Sequence, residues 1–265
     1  MENLTGQSIQ CLATNPQTPS TVYTGTEQGF YKSANAGVSW TAATALSSLA
    51  VFALAVDPRA PSAVYAGTGA GIYKSTDGGA SWRTVNSGLS GNRATFAVAV
   101  DYQTPSTVYA ATEAGVYKST DGGSAWRATN TGLPATNAVF TVALHPQTPS
   151  TLYAGTSGSG VYRSTDGGAT WAAFNVGQTS SAIFAIASDP QSPSTLYAGR
   201  ARGGVMKSVD GAWTAANAGI SSLVVFDVTL DPAQSGMLYA STAQGLYKST
   251  DTGKTWTVSL SSAVV

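Results

Sequence analysis

Charge is scarce in this chain of 265 residues. Only 10% of them are Asp, Glu, Lys or Arg, against about 25% in an ordinary soluble domain. The thirteen basic and thirteen acidic side chains cancel, so the sequence offers no basic footprint for nucleic acid or an anionic membrane. Cysteine is nearly missing as well: Cys11 stands alone, which excludes an intrachain disulfide. No apolar run approaches the roughly 18 residues that a membrane-spanning helix needs, so membrane insertion is not expected. What is plentiful is small, with 29 glycines and many Ser, Thr and Ala, while a 43% hydrophobic fraction still suffices for a core. Such a hydroxyl-rich surface goes with a secreted or periplasmic bacterial protein. Met1-Glu2-Asn3-Leu4 is not a secretion signal, so that location implies a signal absent from this chain, with the cytoplasm as the alternative.

Six tryptophans, Trp40, Trp82, Trp126, Trp171, Trp213 and Trp256, recur 42 to 45 residues apart. A period in the forties means one supersecondary unit copied six times, no copy able to bury its apolar faces alone. The third copy shows the unit. Phe96–Val100 reads as a buried strand, and Asp101–Pro105 as a turn. Ser106–Thr112 is a second strand, Glu113-Ala114-Gly115 a tight reversal, and Val116–Ser119 a third strand. Asp121-Gly122-Gly123 turns into a fourth strand, Ala125–Thr129. Four short strands per copy and no helical periodicity predict an all-β fold, a six-bladed β-propeller of four-stranded antiparallel blades. The blades fall near 8–43, 50–89, 94–133, 138–177, 182–219 and 224–260, within a single domain of residues 1–265. Innermost strands are expected at Ile9–Thr14, Phe52–Val56, Phe96–Val100, Phe140–Leu144, Phe184–Ser188 and Phe226–Leu230. Closure is expected from packing of the sixth blade on the first. The tail from Ser261 to Val265 resembles Ser221–Val225, as though a further copy began there, and membership of a larger ring is the alternative.

Each tryptophan closes a phrase best preserved as Ser75–Trp82, and repeated as Ser119–Trp126, Ser164–Trp171 and Ser249–Trp256. Ser33–Trp40 has Asn35 in the Asp place, and Ser208–Trp213 is two residues short. The chain thereby resembles the Asp-box (BNR-repeat) β-propellers, a group that includes sialidases, sortilin-like proteins and a photosystem II assembly factor. In that family the boxes are structural and lie away from the functional face. Asp77, Asp121, Asp166, Asp210 and Asp251 are accordingly read as turn carboxylates accepting amide hydrogen bonds, and the tryptophans as buried anchors. One carboxylate per turn is too few for calcium, which wants about six or more oxygens. Neither a metal nor a cofactor is expected.

Removing the lattice positions leaves a short set of candidates for function. Lys32, Lys74, Lys118, Arg163, Lys207 and Lys248 share one column and read as a solvated row on the third strands. The Phe52, Phe96, Phe140, Phe184 and Phe226 column reads as interblade core, and Cys11 as a small buried thiol. His145, the only histidine, stands before Pro146 where other copies carry Asp or Asn, and so reads as a turn residue. Off the lattice, Arg93, Arg200, Arg202, Glu27 and Glu113 are expected on the face of the strand 2–3 reversals, opposite the boxes. Asp227 replaces Ala or Thr in its innermost strand, and its carboxyl pKa is expected to rise if buried.

The resemblance to sialidases implies three arginines, an acid/base Asp and a Tyr nucleophile helped by Glu. Here Arg200 and Arg202 share one loop and no off-lattice Tyr–Glu pair accompanies them. The related xyloglucan hydrolases use two propellers flanking a cleft, and this chain has room for one. Glu27 and Glu113 lie two blades apart, whereas a glycosidase needs two carboxyls about 5–10 Å apart. The expected function is therefore a non-catalytic, monomeric binding or scaffold propeller for a protein or carbohydrate partner. A sialidase-like glycoside hydrolase and a multivalent lectin, using amides such as Asn130, Asn137, Asn175 and Gln178, are the alternatives.

Overall fold

The computed structural model describes residues 4, 6–90, 94–135, 138–175, 181–234 and 236–261. The fold is a six-bladed β-propeller, each blade a four-stranded antiparallel sheet whose strands are neighbours in sequence order. The chain divides into two compact units, Met1–Thr129 and Asn130–Val265, with three blades in each. In the first unit the inner strands are Ile9–Asn15, Val51–Val56 and Thr95–Val100. In the second they are Val139–Leu144, Ile183–Ser188 and Val225–Leu230. In the first four blades the outer strand shrinks to a pair such as Arg83–Thr84 or Arg127–Ala128, because the box residues before it stay in the turn. Among the described residues the one helical segment is the 3-10 turn Thr44–Leu46.

Five of the inner strands begin one residue earlier than the sequence suggests. The cause is a register shift repeated in every blade, which skips Gln10, Phe52, Phe96, Phe140, Phe184 or Phe226. A bulged residue leaves the ladder and re-aims its side chain. The phenylalanine column consequently sits outside the buried clusters and is half-buried to exposed, correcting its expected place in the core.

The core lies between blades. In the first unit Tyr65, Ile72, Val85 and Leu89 of the second blade and its exit pack on Val108 and Trp126 of the third. Trp126 donates its indole N–H to the Val85 carbonyl at 2.8 Å. In the second unit Trp213 and Trp256 donate likewise to Phe174 and Ala216. The backbone N–H of Trp126 bonds Ser87 of the preceding connector, and Gly88 (φ 86°) lies so close that an added Cβ would overlap the Trp126 carbonyl oxygen.

Lys32, Lys74 and Lys207 belong to the same interfaces rather than to a solvated row, whereas Arg163 is exposed. Lys74 Nζ and Tyr65 Oη both donate to the Gly122 carbonyl, at 2.8 and 3.0 Å, in the box turn of the next blade. Lys207 and Tyr197 hold the Thr252 carbonyl in the same way, at 3.1 and 3.0 Å, and Lys32 reaches Gly78 at 2.8 Å. Burial raises the Tyr65 and Tyr197 phenols to about 12 and lowers the Lys74 ammonium.

In the boxes of the second, third, fourth and sixth blades the serine hydroxyl and the carboxylate organise the turn. Ser75 Oγ donates to Asp77 Oδ1 at 2.7 Å and accepts from the Gly79 amide. Asp77 also accepts from the Ser81 hydroxyl and amide. These bonds, the Ser81 hydroxyl foremost, hold the Asp77 carboxyl well below the usual carboxylate range. The Asp166 and Asp251 carboxyls are brought to about 2 chiefly by Thr170 and Thr255. Asn35 makes the equivalent bonds with an amide.

Asp210 does not take the carboxylate place assigned to it from the sequence. Its backbone (φ 50°) and its amide bond to Ser194 put it in the left-handed slot held elsewhere by Gly78, Gly122 and Gly167. The two missing residues convert that box into a two-residue Asp210-Gly211 hairpin between Val205–Val209 and Ala212–Ala215.

His145 is the turn residue expected. Its Nδ1 accepts the amides of Gln147 and Thr148 at 3.2 and 3.1 Å, as Asp101 Oδ1 does for Gln103 and Thr104. Protonation at Nδ1 would remove that acceptor, and burial lowers the imidazole pKa. The unfolded chain, with a histidine near about 6.5, takes up the proton first, so this turn's contribution is complete above that value and is lost as pH falls below it. The melting temperature of wild type should drop more between neutral and mildly acidic pH than that of His145→Asp. Parallel pH profiles for the two proteins would refute this.

Candidate functional site

Backbone hydrogen bonds place two sets of loops at opposite ends of every blade. At one end the box turn bonds the turn after the inner strand, as in Gly78 to Ser62 and Gly122 to Ser106. At the other, the strand 2–3 reversal bonds the residue leading into the inner strand. The amides of Glu27, Gly69, Glu113, Ser157, Ala201 and Ala243 donate to Ser8, Ala50, Ala94, Ala138, Ala182 and Val224 in turn. The bulged residue follows two positions later, so reversals and phenylalanines share one face. Gly69 confirms it, since a Cβ there would lie 3.8 Å from the Phe52 ring.

On this face the first unit brings Phe52 and Phe96 together, ring centroids 5.8 Å apart. The second unit carries a row of three, Phe140 to Phe184 at 5.6 Å and Phe184 to Phe226 at 6.2 Å, the latter pair stacked at 20°. Phe226 ends the row with 54% of its surface exposed. Edge and stacked contacts of this kind add about 0.5–1.5 kcal/mol each beyond area burial, which keeps the row in place without covering it. A phenylalanine recurring one residue before an Ala or Thr at the head of four inner strands was the available signal. It reads as core until the bulge is known.

The charged candidates separate. Glu27 and Glu113 are exposed on the first and third blades, and Gln10 Nε2 donates to Glu27 at 3.4 Å. Arg202 is exposed on the fifth blade, its carbonyl accepting from Ser181. Asp227 is exposed beside Phe226. Its own surface is open to solvent, yet atoms crowd around it at longer range, and this desolvation raises the carboxyl pKa despite the amide of Val228 donating at 2.9 Å. Arg200 departs from its expected role. It is buried at 7% exposure and donates through Nη2 to the Gly203 carbonyl at 2.7 Å. Thr68 and Thr112 make the same bond to Gly71 and Gly115. Arg200 is thus a lattice residue in a threonine place, with its guanidinium turned into its own reversal. Arg93, Asn137, Gln178 and Ser262–Val265 lie outside the described residues.

The connector amides are committed to structure as well. Asn175 accepts the Val161 amide at 2.6 Å and donates to Ser159 at 2.8 Å, while Asn86 bonds Ile72 and Ala70. These side chains cap the reversals and leave little for a sugar hydroxyl. Among the described residues, no helix is long and apolar enough to cross a membrane.

A BNR/Asp-box repeat profile matches residues 162–173, the box of the fourth blade and its flanks. The chain is a β-propeller that carries an Asp-box repeat. No curated protein sequence matches the chain, whereas solved structures do. An ancestral GH74 enzyme superposes with a TM-score of 0.83 at 24% identity, covering 97% of this chain and 39% of its own. YCF48 bound to D1 peptide gives 0.69 at 17% identity, covering 96% and 82%. The extracellular domain of the BT4673 hybrid two component system from B. thetaiotaomicron gives 0.75 at 12%, covering 99% and 34%. At these identities the propeller shares their fold, and it spans less than half the length of the GH74 enzyme.

Proposed function

We propose that this propeller is a non-catalytic binding module that recognises an extended protein segment on its reversal face. The observation that carries the reading is the row Phe140, Phe184 and Phe226, held half open on strand bulges and ending beside Asp227. Apolar aromatics with a few polar groups at their rim are what a peptide-binding surface requires. The reading is non-catalytic because Glu27 and Glu113, the off-lattice glutamates among the described residues, stand on the first and third blades rather than as the close pair a glycosidase uses. YCF48, a propeller of similar extent, is seen with a peptide. The hydroxyl-rich, charge-poor surface and the extracellular neighbour favour a location outside the cytoplasm.

A glycan ligand is the second reading, and one groove favours it. Between the first and second blades a cavity of about 480 Å³ is lined by Phe30, Asn35, Ser39 and Thr41. Tiled peptide arrays and a glycan array, probed with the same labelled protein, separate the two. Peptide binding weakened about tenfold or more by Phe226→Ala with Arg202→Ala, the size of an interface hot spot, is the expected result. Saturable glycan binding that is indifferent to those substitutions would overturn the proposal.

A further inference from the structure

Where the first blade meets the second, the closing tryptophan does not reach across to its neighbour. Trp126 and, in the second unit, Trp213 and Trp256 donate their indole N–H to the connector of the preceding blade and are buried. Trp82 donates instead to the Gly79 carbonyl of its own turn, at 3.1 Å, and is only half-buried. Phe30 stands in the third-strand place that Ile72 holds one blade on, and its larger ring meets the Trp82 indole edge-on at 4.8 Å. The connector itself coils into the 3-10 turn Thr44–Leu46. A cavity of about 480 Å³ is left, against about 200 Å³ in the corresponding groove between the fifth and sixth blades, where Trp256 is buried. Its floor is small and apolar, with Ala34, Ala42, Ala43 and Ala80 beside the Phe30 ring.

The rim of this groove offers hydrogen bonds of one sense. In the boxes of Asp77, Asp166 and Asp251, the hydroxyl of Ser81, Thr170 or Thr255 donates to the carboxylate. In the first box that bond is reversed. Asn35 Oδ1 accepts from the Ser33 hydroxyl and the Ser39 amide, so Nδ2 faces the Ser39 hydroxyl and donates to it at 2.9 Å. The Ser39 oxygen therefore accepts, and its own proton is left to point elsewhere. Asn35 Nδ2 keeps a second N–H, and Lys32, which donates to Gly78, has further protons to give. Lys32, Asn35 and Ser39 all line the cavity, and among the described residues no carboxylate lines it. Asp77, beside Gly78, has its oxygens taken by Ser75 and Ser81.

We infer that this groove binds a small carboxylate with a flat apolar body, the acid group on the Ser39, Asn35 and Lys32 donors and the body on the alanine floor against Phe30. A lysine among uncharged donors, with no acid on the lining, is what charge-assisted hydrogen bonds to an anion require. The volume lies in the range of small-molecule sites, about 300–1,000 Å³. The groove shares no residue with the row from Phe140 to Phe226.

Titration calorimetry of the full chain with 2-naphthoate tests this, with 2-naphthalenemethanol as the uncharged counterpart and glucose as a neutral sugar. Naphthoate should bind saturably, one per chain, and about tenfold or more tightly than the alcohol. Two variants locate the site. Asn35→Asp restores the carboxylate of the other boxes, so it should melt no lower than wild type. It should nevertheless weaken naphthoate about tenfold or more, because a like charge now faces the acid. Ala42→Leu changes an exposed position and fills the floor, so it should weaken acid and alcohol alike. No saturation by naphthoate, equal affinity for acid and alcohol, glucose binding in its place, or binding indifferent to either variant would overturn the inference. Phe226→Ala should change nothing here, so the result stands or falls apart from peptide recognition.

Discussion

Replacing Trp126 by alanine should lower the unfolding free energy by about 3–5 kcal/mol, the range for truncating a buried tryptophan. Three losses act together. A side chain only 2% exposed leaves a cavity among Val85, Leu89 and Val108. Its indole bond to Val85 disappears, and the buried carbonyl is left unsatisfied, which adds a desolvation penalty. The effect joins two blades, so it should appear as one cooperative loss instead of local fraying. Trp40 is the control. It closes the same phrase but is only half-buried, and Trp40→Ala should cost clearly less. Denaturant melts of the two variants check this, and equal losses would show that the interblade cavity is not the cause.

Gly88→Ala should be almost as damaging, although it adds one methyl group and deletes nothing. The backbone at Gly88 is left-handed, and a non-glycine residue there costs about 1–3 kcal/mol. The new Cβ also collides with the backbone carbonyl of Trp126, which cannot move aside without breaking the bond between the Trp126 amide and Ser87. Gly158 makes the comparison clean. Nothing lies within 4 Å of its would-be Cβ, and its φ is not positive. Gly158→Ala should leave the melting temperature unchanged or slightly raised, through the unfolded state. Thermal melts that show similar losses for both would count against the close approach.

Much of the fold was legible because its signals are local. A carboxylate or amide two residues after a serine, with glycine next, describes a turn wherever it occurs, and the period of the tryptophans counts the blades. His145 could be placed in the same way, because its ring nitrogen does what the Asp oxygen does two and three residues on. The candidate site was less legible. Arg200 looked free because its threonine role appears only when the reversal glycine is seen beside it. The phenylalanines looked like core because a one-residue bulge, which turns a side chain out of the ladder, leaves no mark in an apolar stretch.

The sequence by itself determined the number of copies, the strand order within a blade and the turn chemistry. Only the tertiary structure decided which side chains join one blade to the next. Lys74 reaches Gly122 across 48 residues of chain, and Trp126 reaches Val85 across 41. No spacing rule encodes such pairs, because they exist only after separate sheets have packed.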